Sequence, residues 1–156
     1  MKDLWPKNVQ MNLHHGNARA RRESFAPKVR GMVSFIRNVS FDCADPYALA
    51  SFWAGVVGHP VHPGCAPGDD EVVIEPGDGP RLYFQAVPEP KTVKNRVHVC
   101  LQPGDRPRDA EIERLLALGA VLAADHRDAG GGGWAVLLDP AGNEFCVTRA
   151  EDERHP

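Results

Sequence analysis

From Ser34 onward the chain repeats itself with a shift of 60–61 residues, and this periodicity restricts the fold more than any single motif. Asn38 stands seven residues before Asp45, and His98 stands seven before Asp105. Asp45 leads through Pro46 into an apolar-periodic stretch ending at Gly58, and Asp105 leads through Pro107 into one ending at Gly119. Three landmarks at one offset indicate two duplicated modules.

Each module contains one amphipathic helix. In the first, Asp45 is placed to accept free amide protons, Pro46 fits the first turn, and Gly58 offers a left-handed stop. Leu49, Phe52, Trp53, Val56 and Val57 form its apolar stripe. Ile112, Leu115 and Leu116 form the second stripe, with Leu118 near its end. Alternation predicts strands at 35–43, 59–63, 71–75, 81–87, 95–102, 120–125, 134–138 and 143–148, bounded by Pro, Gly and Asp turns. The order is strand, helix and three strands, twice: an α+β fold of two β-α-β-β-β modules. Within the strands, Val39, Phe41, Leu82, Phe84, Val97, Val99, Phe145 and Val147 face the helices. Asn38, Ser40, Asp42, Tyr83, Gln85, Arg96, His98, Cys100, Glu144 and Cys146 fall on the opposite, polar faces, which line a pocket if they converge.

Composition narrows the class. With 42% hydrophobic and 25% charged residues among 156, the chain suits a globular domain, and no apolar run reaches the roughly 20 residues of a membrane-spanning helix. The net charge of -3 is unevenly spread: residues 1–31 carry +5 and the remaining 125 carry -8. An acidic body argues against nucleic acid as a partner. Residues 1–31 read as a flexible basic extension, with translation from Met32 as an alternative. Residues 32–150 form the domain, with module one at about 34–87 and module two at about 95–149, and 151–156 form a tail. Cys43, Cys65, Cys100 and Cys146 lack both disulfide-framework and zinc-finger spacing, and no secretory leader is visible, so a reducing cytoplasm is expected.

The segments FDCADPYALASFWAGVVGHPV, KNRVHVCLQPGD, LLALGAV and LLDPAGNEFCV resemble the vicinal oxygen chelate superfamily, specifically its glyoxalase-like branch (the glyoxalase, bleomycin resistance and dioxygenase fold). The resemblance covers about residues 34–149, and its most specific piece is the Asp-Pro-x-Gly-Asn-Glu-Phe-Cys ending. It implies a curved, open, mixed-sheet barrel around a ligand cavity, commonly in a homodimer. In metal-dependent members, ligands come from the first and last strands of both modules. Those positions fall here on Asn38, Gln85, His98 and Cys146.

Only His98 in that set is a strong ligand for Zn, Ni, Fe or Mn, and both expected carboxylates are missing. If a metal is present, His98, Gln85, Glu144 and Cys146 are its candidate ligands; the expectation is that no cofactor is bound. His98, Glu144 and Asp42 are the candidate catalytic groups. Asn38, Ser40, Tyr83, Gln85, Arg96, Cys100, Cys146 and Trp134 are the candidate pocket residues. Structural readings stand beside these roles. Asp42 and Glu144 can pair with Arg81 or Arg96, and the thiols can be packing groups. The run Gly130–Gly133 is a closing loop or a disordered connection. The expected function is small-molecule binding, of sequestering or resistance type, with a degenerate metal site. The alternative is a lyase, isomerase or dioxygenase acting on a small organic substrate.

Overall fold

The computed structural model describes residues 34–154, and the basic N-terminal segment, with its proposed start at Met32, lies outside the described residues. The first module comprises β1 (Asn38–Cys43), α1 (Pro46–Val57), β2 (Glu71–Ile74) and β3 (Arg81–Ala86). The second comprises β4 (Val99–Leu101), α2 (Arg108–Ala117), β5 (Val121–Asp125), β6 (Ala135–Leu138) and β7 (Glu144–Val147). One sheet has the order β1-β3-β2 and the other β4-β7-β6-β5. In both, the module's first strand runs parallel to its last, while the inner neighbours are antiparallel. The duplication predicted from sequence is thus a duplication of topology.

Among the described residues the two sheets are not joined by a strand ladder, so no closed barrel forms. The strand expected at 59–63 shrinks to a single bridge between Val61 and Ile74. Pro60, Pro63 and Gly64 surround it, and prolines cannot donate to a ladder. The strand expected at 95–102 is regular only over Val99–Leu101, which leaves Val97 82% exposed rather than facing a helix.

The first helix ends as its sequence indicates. The Asp45 carboxylate accepts the Ala48 N–H at 2.9 Å, and Gly58 closes the other end at φ 70°. The second helix starts differently. Its Arg108 N–H donates to Glu153 Oε2 at 2.8 Å, from the short 3-10 turn Asp152–Arg154. Asp105 instead pairs with Arg106 at 2.8 Å. The apolar stripe of α2 is narrower than expected: Ile112 and Leu115 are buried, whereas Leu116 and Leu118 are exposed.

The two modules share one core, centred on α1. Phe41 stacks on Phe84 at 5.2 Å and meets Trp53 at 5.0 Å; Trp53 in turn meets Phe145 of the second module at 5.3 Å. Burying Trp53 to 1% exposure is worth about 3–5 kcal/mol against alanine at such a site. Polar ties reinforce the junction. Arg114 of α2 donates to the carbonyls of Gly55 at 2.7 Å and Val56 at 3.2 Å, satisfying the exposed end of α1, while Glu111 neutralises it at 2.6 Å.

The Asp-Pro-Ala-Gly-Asn turn between β6 and β7 is a structural knot. Asp139, 3% exposed, accepts from the amides of Ala141 at 3.0 Å and Asn143 at 2.8 Å. Its second oxygen accepts from the Trp53 indole at 3.1 Å and the Asn143 side chain at 3.0 Å. The most specific motif of the sequence therefore fastens the second module's last hairpin to α1.

Candidate functional site

Alternation along β4 and the parallel pairing of β4 with β7 assemble a group of three donors. Cys100 lies directly opposite Cys146, and His98 precedes Cys100 by two residues, on the same face. The His98 nitrogen and the two sulfurs all lie within 4.8 Å of one another. Cys146 is buried, His98 half-buried and Cys100 exposed, so the group has a closed floor and an open mouth. Burial, then the neighbouring Cys100, pushes the Cys146 thiol up to about 12. At neutral pH it therefore carries its proton, which opposes a nucleophilic role.

Glu144 opens β7 two residues before Cys146, but its carboxylate is committed elsewhere. It accepts from Lys91 Nζ at 3.2 Å and from the Asn95 N–H at 3.1 Å. Burial pushes this carboxyl up, but the Asn95 N–H and the Lys91 ammonium outweigh it and leave it below its ordinary value. A general base with a raised pKa is the opposite case. Asn95 also bonds the Asn143 side chain at 3.0 Å. Glu144 thus anchors the segment that leads into His98. Arg81 and Arg96, the partners expected from sequence, are engaged elsewhere. Arg81 pairs with Glu75 at 2.6 Å, and Arg96 turns back to the Lys94 carbonyl at 3.2 Å.

The remaining expected residues occupy the first module's sheet. Asn38, Ser40 and Asp42 alternate along one face of β1, all exposed, opposite Arg81, Tyr83 and Gln85 of β3. Tyr83 is half-buried, and its hydroxyl bonds the Glu71 carboxylate, which pushes the phenol up. Among the described histidines, cysteines and carboxylates, the donor group holds only His98, Cys100 and Cys146; Asp42 and Glu144 are not in it.

Trp134 lies at the base of the β5–β6 hairpin, its ring 5.1 Å from His126. The glycine run beside it is neither a loose lid nor a disordered link. Arg108, 4% exposed, donates Nη1 to the carbonyls of Gly131 at 3.2 Å, Gly132 at 2.6 Å and Gly133 at 3.1 Å. Asp128 accepts from the amides of Gly130 and Gly132, both at 2.9 Å. Any side chain at Gly133 would overlap the His126 carbonyl. The glycines permit close approach, and the cation then fixes it. Arg108 and Glu153 were absent from the sequence reading, because nothing local marks a partner more than twenty residues away.

A cavity of about 430 Å³ lies elsewhere, between the end of α1 and the loop after β4, lined by Gly55, Val57, Pro103, Arg106 and Arg114. Its cations are already bonded, Arg106 to Asp105 and Arg114 to Glu111 and α1 carbonyls.

The profile of the glyoxalase-like domain family matches residues 38–148. No curated protein matches the chain. Among solved structures, a glyoxalase/bleomycin resistance protein/dioxygenase family enzyme from Burkholderia phytofirmans is 20% identical, with a TM-score of 0.54 over 70% of this chain and 94% of that one. A possible glyoxalase from Bacillus cereus is 18% identical, with a TM-score of 0.55 over 74% and 99%. A mutant of the genomically encoded fosfomycin resistance protein of Listeria monocytogenes, complexed with Mn(II) and 1S,2S-dihydroxypropylphosphonic acid, is 16% identical, with a TM-score of 0.60 over 79% and 96%. At these identities the likeness shows the fold.

Proposed function

The chain belongs to the glyoxalase-like domain family, and on that premise we propose that it binds a small organic molecule on its polar strand faces without a hard divalent cation. The observation that carries this reading is the donor chemistry at the strand positions. Hard cations such as Mn(II) favour carboxylate, carbonyl and water oxygens. Here Glu144 is held by Lys91 and Asn95, and the gathered donors are one imidazole and two thiols. What remains for recognition is a polar face: Asn38, Ser40 and Gln85 are exposed hydrogen-bonding groups on one sheet, with Tyr83 beside them and the charged Asp42 and Arg81 in the same rows. A sequestering or resistance role follows more directly from this set than turnover does.

Two further features belong to the proposal. A homodimer supplies the enclosure that the two unjoined sheets of one chain lack, because each sheet leaves an unpaired edge at β1 and β4. A reducing cytoplasm suits four free thiols. Among the described residues no helix is long and apolar enough to cross a membrane.

The test is thermal-shift titration of the full chain with 1S,2S-dihydroxypropylphosphonic acid and with a 2-oxoaldehyde hemithioacetal, in chelator, alongside assays for turnover. Stabilisation in chelator, lost in Asn38→Ala and Gln85→Ala and without turnover, supports binding. Turnover restored by Mn(II) contradicts it and favours the lyase or dioxygenase alternative.

A further inference from the structure

We propose that His98, Cys100 and Cys146 form a site for a soft divalent cation, Zn(II) or Cd(II), built from the second module alone. The three donor atoms already lie within 4.8 Å of one another. A tetrahedral ion with metal–sulfur bonds of about 2.3 Å and metal–nitrogen bonds of about 2.0 Å needs sulfurs about 3.8 Å apart and each sulfur about 3.5 Å from the nitrogen. Closing from that spacing shortens the donor–donor distances by no more than about 1.3 Å.

The backbone supports this closure. Cys100 and Cys146 face each other across a parallel strand pair, so the sheet fixes their separation, and His98 follows from the two-residue period. The charges also balance. Binding releases the two thiol protons to solvent, and the resulting thiolates with a neutral imidazole offset a divalent ion, so the buried Cys146 end carries no uncompensated charge. Thiolate and imidazole donors select Zn(II) over Mn(II). Three protein donors with an exposed mouth at Cys100 leave a fourth coordination position open to an external ligand. This site does not depend on the organic-ligand reading, since none of its donors comes from the first module.

The experiment is titration of the reduced, full-length protein with Co(II) as spectroscopic probe, followed by displacement with Zn(II). Expected are one equivalent of Co(II) with thiolate-to-metal charge-transfer absorption, and protection of the exposed Cys100 thiol from alkylation when Zn(II) binds. Cys100→Ser, at an exposed position and with an unchanged melting temperature, lowers affinity by more than about 100-fold, beyond the loss of an outer hydrogen bond. His98→Ala weakens binding as well, whereas Cys65→Ser leaves it unchanged. The proposal is overturned if Co(II) binds without charge-transfer absorption, if binding survives Cys100→Ser, or if Mn(II) binds as tightly as Zn(II).

Discussion

Replacing Asp139 by Asn should destabilise the protein far more than the loss of one surface charge. The native carboxylate divides its work: Oδ1 accepts two backbone amides of the turn, and Oδ2 accepts the Trp53 indole and the Asn143 side chain. In Asp139→Asn the retained oxygen can still serve the turn. The new NH₂ then faces two donors, leaving the indole N–H at a 1% exposed residue without its acceptor. Two lost hydrogen bonds, one of them buried and both charge-assisted, cost about 2–3 kcal/mol. Asp139→Ala removes all five, counting the Asn143 side chain's second bond to Oδ1 at 3.2 Å, and costs about 4–6 kcal/mol. For a chain of this size the Asn variant should lower the melting temperature by about 5–10 °C. Urea unfolding followed by circular dichroism gives the midpoint and slope. Trp53→Phe completes a double-mutant cycle, with a coupling of about 1 kcal/mol expected between neighbours that share a bond. If Asp139→Asn unfolds within about 0.5 kcal/mol of the natural chain, the carboxylate does not hold the modules together and the account of the motif is wrong.

Three further outcomes follow from the geometry. Asp125 is drawn down to about 2, chiefly by its bond to Arg127, so its contribution is present above the ordinary carboxylate range near pH 4 and lost as pH falls through about 2. Carboxyl NMR titration should show that midpoint, and Arg127→Ala should return it toward the ordinary range; an unchanged midpoint refutes the pairing. Brief alkylation of the native, metal-free protein at neutral pH should label Cys100 and spare Cys43 and Cys146, which are buried and pushed up by burial. Labelling Cys146 as fast as Cys100 would contradict the closed floor. Gly133→Ala should speed amide exchange at Gly131 and Gly132 by expelling the loop from Arg108, because the position combines φ +75° with backbone contact to His126. Unaltered exchange would show that the clamp tolerates the methyl group.

What was legible in the sequence depended on how far each interaction reaches along the chain. The repeat, both helices and the alternation along β1 and β3 follow from local periodicity, whereas Arg96 and His98 fall outside the shortened β4; Asp45, Pro46 and Gly58 mark α1 because a cap is a three-residue device. The start of α2 was less legible. Asp105 sits where a cap is expected, but its charge goes to the adjacent Arg106, and Glu153 reaches back 45 residues to do the capping. Likewise Asp139 reads as a turn former, yet its partner Trp53 is 86 residues away. Glu144 illustrates the limit at the site. Alternation puts it beside His98, but only three-dimensional packing brings Lys91 and Asn95 to its carboxylate. The repeat equates Cys146 with Gln85 and the family resemblance implies a carboxylate there, whereas the partnership of Cys146 with Cys100 depends on the register of β4 against β7.

In the proposed function, ligand binds the polar strand faces rather than the cavity beside α1. Backbone amide NMR of the full chain, titrated in chelator with 1S,2S-dihydroxypropylphosphonic acid, locates binding directly. Expected are shifts concentrated at Asn38, Ser40, Tyr83 and Gln85 on β1 and β3. Shifts confined to Gly55–Gly58 and Pro103–Arg106, the lining of the 430 Å³ cavity, would contradict it.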